Sequence, residues 1–141
     1  MKLFVFILSL LVTAGCSTPL AEINYRGSLA TAQSDPFEVT EEFARALEKE
    51  TDLKIVDRSK RTGTPRTDGS ASIHLRTPRT ASVWVIIISY AAEREIHARI
   101  AGDIDSPIAK ELAAACERVH SQLYPGTDFV RFQRNRGMLG P

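Results

Sequence analysis

The sequence predicts an α+β domain in which two helices pack on an antiparallel or mixed sheet of four to six strands. Three observations lead there. Ile108, Leu112, Ala115, Cys116, Val119 and Leu123 recur at i, i+4, i+7, i+8, i+11 and i+15, an apolar stripe of helical period. Between residues 71 and 100 the chain alternates apolar and polar residues or runs continuously apolar, which is strand patterning. Asp35-Pro36 and Ser106-Pro107 each set a side-chain acceptor before a proline, the start signal of a helix. One helix before the hairpins and one after them is the arrangement of helices layered on a sheet face.

The chain opens with a signal. Lys2 supplies a positive start, Leu3 to Val12 form an apolar run interrupted by Ser9, and Thr13, Ala14 and Gly15 lead into Cys16. These are the parts of a secretory signal. The run falls short of the about 20 residues that a helix needs to cross a bilayer. It is apolar on all sides, unlike the one-sided stripe of a core helix. Two cleavages compete. Val12-Thr13-Ala14 suits a cut after Ala14, which would release a soluble periplasmic or secreted protein. The stretch LVTAGC, ending on Cys16, resembles the lipobox of bacterial lipoprotein precursors, with Thr13 standing where that family usually has Leu. A short apolar run ending on Gly-Cys favours this second reading.

The resemblance covers residues 1–16 and implies removal of residues 1–15 and acylation of Cys16. Each buried methylene of an acyl chain contributes about 0.8 kcal/mol, so the several chains such proteins carry would hold the domain to a leaflet. In that family an Asp after the cysteine retains the protein at the inner membrane. Ser17 stands there in this chain, which implies the periplasmic face of the outer membrane.

Residues 16–35 follow as a small, polar N-terminal tether. Within it Ile23 and Tyr25 alternate with Asn24, the pattern of a short edge strand near residues 21–26. A single domain is expected over 36–133. Its first helix starts at Pro36 behind Asp35, with Glu38 in the first turn and Val39, Phe43, Ala46 and Leu47 on one face. It should end near Thr51 and Asp52. Leu53 to Asp57 reads as a strand. Residues 58–70, RSKRTGTPRTDGS, contain no apolar side chain and read as an exposed loop.

Ala71 to Arg76 alternates as a strand, and Thr77-Pro78-Arg79-Thr80 is a turn. Residues 81–90 are the most β-prone run, apolar on both faces through Ile88, as in a central strand covered on both sides. Residues 94–100 alternate again, with Ile96, Ala98 and Ile100 on one face and Glu95, His97 and Arg99 on the other. The two runs should pair as a hairpin about Ala91-Ala92-Glu93. The second helix runs from Pro107 to a stop at Tyr124-Pro125-Gly126. Phe129 to Phe132 reads as a last strand, and 134–141 as a tail.

A question follows from residues 82–90. Apolar sheet surface left wet costs about 25 cal/mol per Å². Something must therefore cover Trp84, Ile86 and Ile88, or the set of opposite parity: the chain's own ends, or a partner.

Candidates for chemistry are few. Without Lys2 the chain balances 17 basic against 17 acidic residues, which argues against a dedicated nucleic-acid binder. Arg58, Lys60, Arg61, Arg66, Arg76 and Arg79 fall within 22 residues and form a candidate anion-binding group, to be weighed against a solvated loop balanced by the acidic face of the first helix. No HxH, HExxH or CxxC spacing joins His74, His97 and His120, so neither a metal nor another cofactor is implied. Asp103 and Asp105 flank Ile104 before the second helix as paired carboxylates, which a loop and a helix N-terminus explain equally well, and His74, His97 and Asp103 would serve a hydrolase only if a cleft gathers them. Cys116 lies in the helical stripe, where a thiol is buried and inert. With Cys16 acylated it has no partner for an intramolecular disulfide.

The expected function is that of a lipid-anchored envelope lipoprotein, a non-enzymatic binding or accessory module for an envelope protein or an anionic glycan. The alternatives are a periplasmic inhibitor or immunity protein and a small envelope hydrolase.

Overall fold

The computed structural model describes residues 21–29, 35–61 and 69–132, the side chains of 60 and 61 excepted. Cys16 and the signal, Arg66 and the tail 134–141 lie outside the described residues, as do the side chains of Lys60 and Arg61. The elements are β1 (Glu22–Ser28), α1 (Pro36–Glu50), β2 (Lys54–Arg61), β3 (Ser70–Arg76), β4 (Val83–Tyr90), β5 (Glu95–Gly102), α2 (Pro107–Leu123) and β6 (Phe129–Phe132). All pairings are antiparallel, in the order β2-β3-β4-β5-β1-β6. Both helices lie on one face of this six-stranded sheet, the α+β architecture the patterning predicts.

Each helix begins where its cap residue directs. The Asp35 carboxylate accepts from the Phe37 N–H at 2.8 Å, and the Ser106 hydroxyl accepts from the Ala109 N–H at 3.2 Å. Helix α1 ends at Thr51, whose N–H and hydroxyl both donate to the Leu47 carbonyl, at 2.9 and 2.6 Å. The hydroxyl oxygen then accepts from the Leu53 N–H at 3.1 Å, so one side chain stops the helix and sets the chain into β2.

The core forms between the helices and the inward sheet face. Val39, Phe43 and Leu47 of α1 and Leu112, Cys116 and Val119 of α2 are buried against Ile73, Leu75, Val85, Ile87, Ile96 and Ile100. Full burial of one such aliphatic side chain contributes about 1.5–3 kcal/mol. The hairpin between β4 and β5 turns at 91–94, with Arg94 at φ +52°. Gly102 closes β5 at φ +108°, and a Cβ there would stand 1.8 Å from the Ser82 carbonyl oxygen.

Two strands differ from expectation. Strand β1 spans 22–28 and lies between β5 and β6 rather than at an edge. The stretch expected as tether therefore contributes an interior strand, because the late, short β6 adds outside it. Strand β2 continues through Arg61, well into the expected loop. Its residues 58–61 pair with Ile73 to Ser70, since backbone pairing at a sheet edge needs no apolar side chain. A bulge at Val56 shifts the register between Ile55 and Asp57 and leaves Val56 exposed.

The β1–β6 end closes on an aromatic stack. The Phe129 ring lies 4.3 Å from His120 and 4.8 Å from Tyr25, both nearly parallel to it. Gly27 makes room: a Cβ there would meet His120 Nε2 at 2.4 Å and Phe129 at 2.8 Å. The Tyr25 hydroxyl donates to Glu117 on α2 at 2.7 Å, tying helix to strand. His120 sits in the last turn of α2, where the helix dipole favours an imidazolium. It is also 1% exposed and its Nε2 lacks a hydrogen-bond partner among the described residues, and this burial wins, holding its pKa below the ordinary 6.5.

Two outcomes follow. Gly27→Ala overpacks the stack and should cost about 1–3 kcal/mol in urea unfolding, with the fold retained. The unfolded chain protonates His120 near 6.5 while the folded chain resists, so protons favour unfolding. The neutral ring's contribution is full above that pH and is lost as pH falls through the depressed folded value. Replacing His120 by Phe should flatten the fall in Tm as pH drops below about 6.5; an unchanged slope would assign the loss to other groups.

Candidate functional site

Strand alternation sends Val83, Val85, Ile87 and Ser89 of β4 under the helices and Trp84, Ile86, Ile88 and Tyr90 to the opposite face. The second set is only partly buried, and no described element covers it. The strand register builds the rest of this open face. On the β3 side Ser70, Ser72, His74 and Arg76 stand opposite Tyr90, Ile88, Ile86 and Trp84. On the β5 side Glu95, His97, Arg99 and Ala101 oppose the same four. Glu22, Asn24 and Arg26 of β1 follow, then Phe132 of β6. The result is an apolar ridge along β4 flanked by polar rows.

Two adjoining cavities mark the face. A basin of about 410 Å³ is lined by Ser59, Ser70, Ser72, His74, Ile88, Tyr90 and Arg99. A smaller one of about 110 Å³ lies against Asn24, His97 and Phe132 and shares Ile88, Tyr90 and Arg99 with the first. The larger falls within the range of small-ligand pockets, about 300–1,000 Å³. Arg99 stands between them. Its Nε donates to Asn24 Oδ1 at 3.3 Å and lies 3.8 Å from Glu22, which orients the guanidinium. Ser59 and Ser72 share a hydrogen bond of 2.6 Å across β2 and β3.

The remaining face residues pack ring against ring or cation against ring. The Arg76 guanidinium lies 5.4 Å from the Trp84 ring centroid and that of Arg26 lies 6.0 Å from Phe132. His97 meets Tyr90 edge to face at 5.0 Å and pairs with Glu95 at 3.0 Å. The carboxylates of Glu93 and Glu95 and the His97 ring come within 4.8 Å of one another, but Arg26 already lies 3.7 Å from Glu95.

The basic group read from the sequence is divided by the fold. Arg58 points to the helix side and grips Glu41 with two hydrogen bonds of 2.8 and 2.9 Å. The Arg58 hydrogen bond holds the Glu41 carboxyl below its usual value, so the acidic face of α1 does balance this residue. Arg79 bridges Glu111 and Asp52 through four hydrogen bonds of 2.7–3.1 Å. Of the described members only Arg76 reaches the open face. The acid–base trio is likewise scattered. His74 and His97 have β4 between them, which is two strand spacings or about 10 Å. Asp103 lies beyond the far end of β5 from His97. His74 lines the larger cavity and His97 the smaller, and Asp103 lines neither, so no cavity among the described residues gathers all three.

Arg99, Tyr90 and the Ser59/Ser70/Ser72 row are the site residues that sequence reading missed as a group. Their signal was present: polar residues at every second position on both sides of an apolar strand. Only the register shows that the rows converge on Ile88.

Among the described residues no helix is long and apolar enough to cross a membrane. No family model and no curated protein matches this chain. Among solved structures it is similar to the adenosylmethionine decarboxylase from Aquifex aeolicus VF5, at 12% identity and a TM-score of 0.46, over 86% of this chain and 97% of that one. So distant a likeness bears on no residue's role.

Cys116 is fully buried in α2, and burial pushes its thiol up to about 12. In a Cys16→Ser chain it should resist iodoacetamide at pH 8 and react completely in urea. Rapid native alkylation would contradict the packing of α2.

Proposed function

We propose that this protein is a lipid-anchored envelope lipoprotein that works by binding, through the open face of its sheet. The observation that carries the reading is β4, which presents Trp84, Ile86, Ile88 and Tyr90 away from the helices as a ridge beside a ligand-sized basin. Partly wet apolar surface of this kind rimmed by polar side chains is the mark of an interaction site. The anchor would be Cys16, acylated after removal of residues 1–15, and Ser17 favours the outer membrane with the domain facing the periplasm. The membrane is then the first partner, and an envelope component that reaches the sheet face is the second. The division of the arginines between Glu41, Asp52 and Glu111 supports this face over a general basic patch.

One chain tests both halves. Radioactive palmitate should label the native protein and leave Cys16→Ser unlabelled; equal labelling of the two would refute the anchor. Because Cys116 is buried, single reporters can footprint the surface. Maleimide should modify Ile88→Cys several-fold more slowly in isolated envelopes than in the detergent-purified protein. Ala114→Cys, on the exposed side of α2, should react alike in both. Equal rates at residue 88 in the two settings would mean that the sheet face is not occupied.

A further inference from the structure

Taking that face as the docking surface, we propose that its larger basin binds a saccharide unit carrying one carboxylate. The chemistry of the lining selects this class. Ser59, Ser70, Ser72 and Tyr90 bring four hydroxyl groups to one depression. Each hydroxyl both donates and accepts, as the hydroxyls of a sugar ring do. Ile88 and the Tyr90 ring supply an apolar patch, and the electron-rich face of an aromatic ring suits the polarised C–H face of a pyranose. Arg99 borders the basin with its Nε held by Asn24 and Glu22, and among the described residues the two terminal nitrogens remain as a planar fork for a carboxylate.

Among the described side chains Arg99 is the one full positive charge lining the basin, and Glu22 stands 3.8 Å behind it. A phosphate group ordinarily gathers several cations or a row of free backbone N–H groups. The amides of β3, β4 and β5 beneath this basin are already committed to strand pairing on both sides. Among the described groups, a carboxylate is matched by the Arg99 fork, whereas a phosphate would lack the several cations it ordinarily gathers. The volume of about 410 Å³, with an adjoining cavity of about 110 Å³ that shares Ile88, Tyr90 and Arg99, accommodates a ring and a substituent.

The test is calorimetric titration of the full chain in detergent with three disaccharides. N-acetylglucosaminyl-N-acetylmuramic acid and di-N-acetylchitobiose differ by one lactyl carboxylate. Digalacturonic acid carries its carboxylates on the rings instead. At least one acidic disaccharide should bind tenfold or more tightly than the neutral one, and the tighter of the two names the source. Arg99→Gln should erase that preference, whereas Arg79→Gln should preserve it. Should Arg99→Gln fail to fold by circular dichroism, Arg99→Lys, which keeps the charge but loses the fork, should weaken the acidic ligand several-fold. Equal binding of neutral and acidic sugars, binding by none, or acid preference that survives both Arg99 substitutions would overturn the proposal. If it falls while residue 88 stays protected in envelopes, the docking face stands with another kind of partner. If that protection is missing too, the docking reading falls with it.

Discussion

Strand β4 carries apolar side chains on both faces, and the two helices cover only one of them. Most of the molecule can be understood from that constraint. The face under the helices takes the fully buried set, Val83, Val85 and Ile87, and with it the largest part of the hydrophobic stabilisation. The other face keeps Trp84, Ile86 and Ile88 half covered by their neighbours on β3 and β5. An arginine over Trp84 and polar rows on either side reduce the wet apolar area without abolishing it. A sheet built this way is stable on one side and available on the other.

The helices hold their positions by means that are partly polar. The Tyr25–Glu117 hydrogen bond and the Phe129 stack tie α2 to the β1–β6 end, while Ser89 donates to the Pro36 carbonyl at the start of α1. The cost of this arrangement is visible at His120 and Tyr124, whose buried side-chain atoms Nε2 and Oη have no partner among the described residues. Close approach through Gly27 is what lets the imidazole lie flat on Phe129, so packing has been preferred over hydrogen bonding at this corner.

Charge is sorted between the two sides as well. Arg58 and Arg79 are occupied by carboxylates of α1, of the segment that follows it and of α2, and they brace the helical layer. Those on the open face sit over rings or beside amides, with carboxylates at longer range. Arg99 differs from the others in lying between two cavities with hydroxyl groups beside it. That setting, rather than basicity as such, makes it the residue of interest.

Much of the fold was legible in the residues themselves. Asp35-Pro36 and Ser106-Pro107 mark helix starts because an N-cap and a fixed proline φ act over one turn, and the α2 stripe is a property of helical period. The alternation in residues 71–76 and 94–100 likewise determined which side chains share a face. What lay beyond the sequence were relations between segments distant along the chain. Residues 22–28 become interior only because β6 pairs outside them, and Arg58 to Arg61 become strand only because β3 offers an edge. The basin likewise needs Ser59, Ser72, Ile88 and Arg99 from four strands in one register. Capping and periodicity are local forces that a single stretch can express, whereas strand order and register are settled by which edges find partners once the whole sheet closes.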